Sequence, residues 1–346
     1  MKIKEKWYDG KYYSKVRLIQ EENTTEKPYW GIENASLTIE SPSSSLSNAL
    51  RRSGFSIPKQ VTLIEQRRKL DSYDKEIIAR IAASGLLTQK QLIDYMKQCN
   101  LLPDRFGSRI ESNIMQRRLN HLFTSELIEK VIISYSNDLP NLTAYRITRL
   151  GEELARRQGV CIHSGNKYRS HKEREMTGLF DTPEKIMRVI VANNIALRLL
   201  NENDNIKSLK FMVTHRIKGV NALSSITRSD LTIVKEDGSS YFIEIFRRSD
   251  TSNTSREQYE SYIKDKVGRY FDLVQHDDFL EKNIQDLKTI PKLVIVAEDL
   301  MHLDELKNMI TPIVNALRKD DRTEVVFITD YGLDTEQFYH SDFFTE

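Results

Sequence analysis

Two carboxylates in the second half of this 346-residue chain stand where acids are uncommon. Asp230 leads into the apolar run 231–234, and Glu244 lies inside the run 241–246. These runs read as the strands of a hairpin turned at Asp237-Gly238, a strong short-range turn signal. Side chains alternate along a strand, so Phe242, Glu244 and Phe246 share one face. An acid among apolar neighbours often marks a site. Asp230 and Glu244 brought together would suit Mg²⁺ or Mn²⁺, cations that seek oxygen ligands, beside a phosphodiester. The competing reading is an edge-strand charge or a structural ion pair with Arg228 or Arg248.

In the first half, Arg109, Asn113, Gln116, Arg117 and Asn120 fall on one side of a predicted helix, opposite Ile110, Ile114, Leu119 and Leu122. Guanidinium and amide groups on one face suit a helix lying in the DNA major groove, where they pair with guanine and adenine edges. Any amphipathic helix also carries a polar face, so the pattern alone leaves a solvated surface open. Arg146 and Arg149, beside the hairpin that follows, are candidate phosphate contacts. The net charge of +2 hides an asymmetry: residues 1–160 carry 26 Lys+Arg against 19 Asp+Glu, and the remainder carries 26 against 31. A polyanion would meet the first half first.

The elements that must position these groups follow from the pattern. After the cap residues Asp71-Ser72, Ile77, Ile78, Ile81 and Ala82 recur at helical spacing up to Gly85. Thr88 caps a second helix bearing Leu92, Ile93 and Met96, and Ser108 caps the third. Two β-rich runs, 131–135 and 144–148, flank a turn-rich connection, and a closing helix spans 150–157. Three helices and a hairpin in this order predict a winged helix-turn-helix over residues 71–160. Residues 1–70, with a Ser-rich stretch at 41–47 and the basic clusters Arg51-Arg52 and Arg67-Arg68-Lys69, read as a partly disordered N-terminal extension. Residues 161–181 read as a linker.

The second domain, 182–346, opens with Thr182-Pro183, a cap followed by proline at the first helical turn. Strand candidates fall at 209–214, 231–234, 241–246, 293–297 and 325–329. A helix between the third and fourth carries Tyr259, Tyr262, Ile263, Val267, Tyr270, Phe271 and Val274, and another near 302–318 makes a strand–helix–strand crossover. The fold class is therefore mixed, a winged helix followed by an α/β domain. No apolar run approaches the roughly 20 residues of a membrane span, and the start, Met1-Lys2-Ile3-Lys4-Glu5-Lys6, leads into no signal segment. Cys99 and Cys161 supply neither a disulfide framework nor a metal cluster. The cytoplasm is the expected compartment, with no membrane partner.

Residues 71–275 resemble the replication-relaxation family of plasmid and mobile-element proteins. The landmarks, in order, are Leu87-Thr88-Gln89-Lys90-Gln91-Leu92, Arg118-Leu119-Asn120-His121-Leu122, Leu127-Ile128-Glu129, Ala144-Tyr145-Arg146-Ile147-Thr148 with Leu150-Gly151, Arg228-Ser229-Asp230, the run from Glu244 to Thr251, and Lys266 with Arg269-Tyr270. The resemblance implies a winged helix joined to a domain similar to the restriction-endonuclease-like fold, and a role in plasmid replication or conjugative mobilisation. It implies a relaxase or replication initiator as partner.

The match departs at the chemistry. In the endonuclease-like pattern a lysine follows the glutamate by two, and here that position is Phe246. Arg247 faces the other way, and Arg248 lies about 13 Å beyond Glu244 along an extended strand. Lys266, on the following helix, is the candidate for a displaced lysine. The expectation is therefore a cytoplasmic accessory or regulatory protein that binds double-stranded DNA without catalysis or cofactor. Two-fold symmetry would double the short site of one winged helix, so a homodimer is expected. The alternatives are a Mg²⁺- or Mn²⁺-dependent nuclease using Asp230, Glu244 and Lys266, and a winged-helix transcriptional repressor.

Overall fold

The computed structural model describes residues 3–8, 16–21, 36–42, 54–98, 108–134, 141–163, 183–201, 205–219, 226–247, 256–285, 287–298, 300–317 and 323–329. The fold is mixed α+β and divides into two compact units. One comprises Tyr8–Val16 and Asn34–Asn193, the other Met1–Trp7, Arg17–Glu33 and Asn194–Glu346. Strands β1 (Ile3–Tyr8) and β2 (Val16–Glu21) form a two-stranded sheet. No helix among the described residues is long and apolar enough to cross a membrane.

The first unit contains β3 (Ser36–Glu40), α1 (Ile57–Arg68), α2 (Ser72–Ser84), β4 (Leu87–Thr88), α3 (Gln89–Gln98), α4 (Ser108–Thr124), β5 (Ile128–Ser134), β6 (Leu142–Ile147), α5 (Arg149–Arg157) and the start of α6 (Pro183–Asn201). Local chemistry sets the helix ends. The Asp71 carboxylate accepts from the Asp74 amide at 2.8 Å, closing a capping box on α2. Gly85 ends that helix at φ +93°, where a side chain would also strike the His163 ring. At the start of α3 the Gln91 amide donates to the Thr88 hydroxyl at 3.2 Å, and the Thr88 amide donates to Gln91 Oε1 at 3.0 Å. The sheet runs β3-β5-β6-β4, antiparallel throughout, with Leu37 opposite Ile133, Val131 opposite Ala144 and Leu87 opposite Tyr145. Ile77, Ile81, Leu92, Met96, Met115, Leu119, Leu122, Val131 and Ile147 are buried in this unit.

Two boundaries differ from the sequence reading. Within residues 1–70, β3 and α1 are ordered parts of the unit: β3 extends the sheet beside β5, and Arg157 of α5 donates from Nη2 to the Pro58 carbonyl at 2.6 Å. Neither carries a strong pattern, because β3 is an exposed edge strand and α1 buries only Val61 and Ile64. The Ser-rich stretch from Ser43 onward and Arg51-Arg52 lie outside the described residues, as does the predicted linker from residue 164. Nor does the second unit begin at 182. The first residues of α6 group with the first unit, where Gln91 Nε2 donates to the Ile190 carbonyl at 2.9 Å and the Tyr95 hydroxyl to Asn193 Oδ1 at 3.1 Å.

The second unit adds β7 (Ile206–Arg216), β8 (Ile226–Lys235), β9 (Ser240–Ile245), α7 (Arg256–Val274), α8 (Phe279–Lys282), β10 (Lys292–Ala297), α9 (Leu300–Leu317) and β11 (Val325–Thr329). All five predicted strands are present, in the order β11-β10-β9-β8-β7. β7, β8 and β9 form an antiparallel meander, whereas β9, β10 and β11 are parallel and joined through α7 and α9. Gly238 turns the β8–β9 hairpin at φ +90°, and Asp237 Oδ1 accepts from the Ser239 amide at 2.7 Å. Ile263, Val267, Tyr270 and Phe271 of α7 pack in one cluster with Phe242, Leu293 and Ile295 of the sheet and Leu306 and Ile310 of α9. That packing fixes the rotation of α7 about its axis.

Candidate active site

In the β8–β9 pair Leu231 stands opposite Ile243 and Thr232 opposite Phe242, so one further step brings Asp230 opposite Glu244. Opposed residues on antiparallel strands have Cβ atoms about 4.5–5.5 Å apart, close enough for two carboxylates to act together. Both are buried, Asp230 at 7% and Glu244 at 4% exposure. The Ile245 amide donates to Asp230 Oδ2 at 2.8 Å and fixes that carboxylate in place.

Two buried acids at this separation need a counter-charge. Lys266 supplies it. Its Nζ contacts Glu244 Oε2 directly and lies 3.7 Å from Asp230 Oδ2. The helical spacing that buries Ile263, Val267 and Tyr270 against the sheet brings Lys266 over the strand ends. Phe246, where the endonuclease-like pattern has lysine, is fully buried, and Lys266 Nζ lies 5.5 Å from its ring centroid. Thus the structure brings Asp230, Glu244 and Lys266 together. Arg228, the cation two residues before Asp230, is exposed. Arg248 lies outside the described residues. Arg247 is buried elsewhere, 3.8 Å from Glu298.

Sequence reasoning missed a polar cluster beside Asp230. His215 Nε2 lies 3.0 Å from Ser229 Oγ and 2.8 Å from Thr232 Oγ1, and these hydroxyls are 2.6 Å apart. The imidazole stacks on Phe242 with centroids 3.9 Å apart. Burial, assisted by Lys210, pushes His215 down to about 3, so the ring is neutral at physiological pH. The available signal was the polar run from Thr227 to Asp230, with Thr232 beyond it, on a strand that then turns apolar at Ile233 and Val234.

Among the described residues no three His, Cys, Asp or Glu side chains form a metal-ligating group. Two carboxylates nonetheless fit Mg²⁺ or Mn²⁺, because such ions keep several waters and share substrate phosphate oxygens. Asp230 and Glu244 are the residues that would hold the ion. Its chemistry there would be polarisation of a phosphoryl oxygen and acidification of bound water.

On the first unit, α4 exposes Asn113, Arg117 and Asn120 and buries Glu111, Met115, Leu119 and Leu122. Gln116 is half-buried, and its Nε2 donates to Asn120 Oδ1 at 3.1 Å. Ile114 is half-buried rather than core, and Met115 takes the core position. Arg109 begins this helix, but its side chain lies outside the described set. Arg149 is exposed at the start of α5. Arg146 is a correction: it is buried, with Nε 2.5 Å from Glu129 Oε1, so its guanidinium is committed inside the sheet layer and not offered to phosphate. Its position on a strand gave no hint that Glu129 faces it across the hairpin, as the register shows.

Compared with protein-family models, with curated proteins and with solved structures, the chain matches none.

Proposed function

We propose that this protein binds DNA through its first unit and hydrolyses phosphodiester bonds at the Asp230–Glu244–Lys266 site of its second. The observation that carries this reading is Lys266 reaching the carboxylate pair from α7, which supplies the cation absent at Phe246. The order α2-β4-α3-α4-β5-β6, with β4 paired to β6, supports a winged helix with α4 as the reading helix. A helix, three antiparallel strands, a crossover helix and a parallel strand, with acids on the second and third strands, support a restriction-endonuclease-like unit. In this reading Asp230 and Glu244 hold Mg²⁺ or Mn²⁺. The Lys266 ammonium balances their charge and donates to a phosphate oxygen as negative charge develops on it. A part in plasmid replication or mobilisation, beside a relaxase or initiator, follows from the motif resemblance and is proposed with it.

A second reading rests on the same contact. The Glu244–Lys266 ion pair satisfies the acids without a metal, as expected of a non-catalytic accessory or regulatory protein. The two are separated by incubating supercoiled and single-stranded DNA with the protein in Mg²⁺, in Mn²⁺ and in EDTA, beside Glu244→Ala. Metal-dependent cleavage lost in Glu244→Ala supports hydrolysis. DNA binding without cleavage in any condition supports the accessory role.

A further inference from the structure

Beside the carboxylates a groove of about 410 Å³ is lined by Thr214, Ile226, Thr227, Arg228, Tyr262, Asp265, Lys266 and Arg269. Its composition is unlike an ordinary solvated surface. Arg228 and Arg269 are exposed, giving two cations against the acid Asp265, while the third cation of the lining, Lys266, is paired with Asp230 and Glu244. Among them stands Tyr262, 39% exposed on a helix whose neighbouring Tyr259 and Ile263 are buried. The sequence pattern places Tyr262 on the apolar side of α7, yet its ring remains at the surface. It is braced rather than loose: Phe246 meets it edge-on, with centroids 6.3 Å apart at 70°, and Lys266 Nζ lies 5.9 Å from its centroid.

From this arrangement we infer that the groove is a binding site for a single-stranded nucleic acid, with Tyr262 as the platform on which one base stacks. Arg228 and Arg269 neutralise the flanking phosphates. Cations that follow a backbone, interleaved with an aromatic ring, are the means by which proteins hold single strands. A paired duplex hides the base faces that such a ring needs. The groove is on the scale of a small-molecule pocket, which suits one strand rather than two. Thr214 and Thr227 also line its wall. Phe246 thereby has a role of its own, since it holds Tyr262 and underlies Lys266 at the same time. The inference rests on the phosphodiester-site reading and names its substrate as a single strand.

The test uses the full chain in EDTA, so that binding is read without cleavage. Fluorescence anisotropy follows labelled oligo-dT, oligo-rU and a mixed-sequence duplex. Tyr262→Ala is expected to weaken single-strand binding about 5- to 100-fold, to leave duplex binding unchanged and to keep the wild-type melting temperature. Tyr262→Trp is expected to retain it. Arg228→Ala and Arg269→Ala should each reduce the salt slope of single-strand binding by about one. Tighter binding of dT or of rU tells whether the strand is DNA or RNA. The inference is overturned if Tyr262→Ala binds single strands as the wild type does, or loses single strands and duplex alike. Tyrosine-dependent binding without Glu244-dependent cleavage would sink only the hydrolase reading. Glu244-dependent cleavage with tyrosine-independent binding would sink only this one.

Discussion

Lys266 Nζ stands 3.7 Å from Asp230 Oδ2, although one residue belongs to α7 and the other to β8. In the proposed reading Lys266 on α7 takes the part of the strand lysine of the endonuclease-like pattern, whose position in this chain is Phe246. Substituting Lys266→Met removes the cation in direct contact with Glu244. Metal-dependent cleavage of single-stranded DNA is expected to fall by about 10²–10³, the usual effect of losing one electrostatic stabiliser. Glu244→Ala should abolish it. A Lys266→Met variant that cleaves at the wild-type rate would remove Lys266 from the proposed chemistry.

Arg117 and Arg118 are adjacent in sequence but should fail differently. Arg117 is exposed on α4. Arg118 Nη1 lies 2.8 Å from both Asp71 and Asp74, and its guanidinium sits 4.4 Å over the Tyr73 ring. Arg117→Ala is expected to cost about 1–3 kcal/mol of DNA binding at one base position, if it reads guanine, with an unchanged melting temperature. Arg118→Ala should instead destabilise the fold by about 1–3 kcal/mol, because the buried Asp74 loses its partner. Band shifts and thermal melts on the two variants check both halves.

His215 makes stability sensitive to acid. Its folded value, about 3, lies below the ordinary 6.5, so the native ring stays neutral where the unfolded chain takes up a proton. Its contribution is full above pH 6.5 and is lost as the pH falls towards 3, at up to about 1.36 kcal/mol per pH unit. His215→Asn should lower stability at pH 7.5 by loosening the Ser229–Thr232 contacts, yet flatten the decline between pH 6.5 and 4. Urea unfolding across that range measures the slope; an equal slope in both proteins would show that other groups set it.

Gly151 is required for close approach rather than for a turn. A Cβ at this position would lie 2.1 Å from the Leu127 carbonyl oxygen, which already accepts from the Thr148 amide at 3.0 Å. Backbone cannot yield as a side-chain tip can, so Gly151→Ala is expected to cost about 1–3 kcal/mol through overpacking. A thermal melt of the variant should show it, and an unaltered midpoint would mean that α5 tolerates displacement from β5.

The periodicities carried most of the element list. Asp71, Gly85 and Thr88 have short polar or conformationally free side chains that act on the backbone within a few residues, so the ends of α2 and α3 were legible without tertiary knowledge. Likewise Asp237-Gly238 encodes its own turn, and alternation set Glu244 on the face of Phe242. What depends on distant partners was not legible. β3 and α1 carry too few buried side chains to register as pattern, and only their contacts with β5 and α5 make them structure. Arg146 read as a surface cation because a guanidinium's environment is decided by whichever carboxylate lies across the strand, and Glu129 is brought there by register alone.

The residue types of the candidate site were determined by the sequence: two acids near one hairpin, a lysine at helical spacing on the next helix, and a phenylalanine where a cation was expected. Tertiary structure decided that they meet. Burial of Ile263, Val267 and Tyr270 sets the rotation of α7, and that rotation alone carries Lys266 to Glu244 while leaving Tyr262 at the surface. Helical spacing says which residues share a face. Which face is turned inward, and what it meets there, is settled by the packing of side chains remote in sequence, and no local pattern records it.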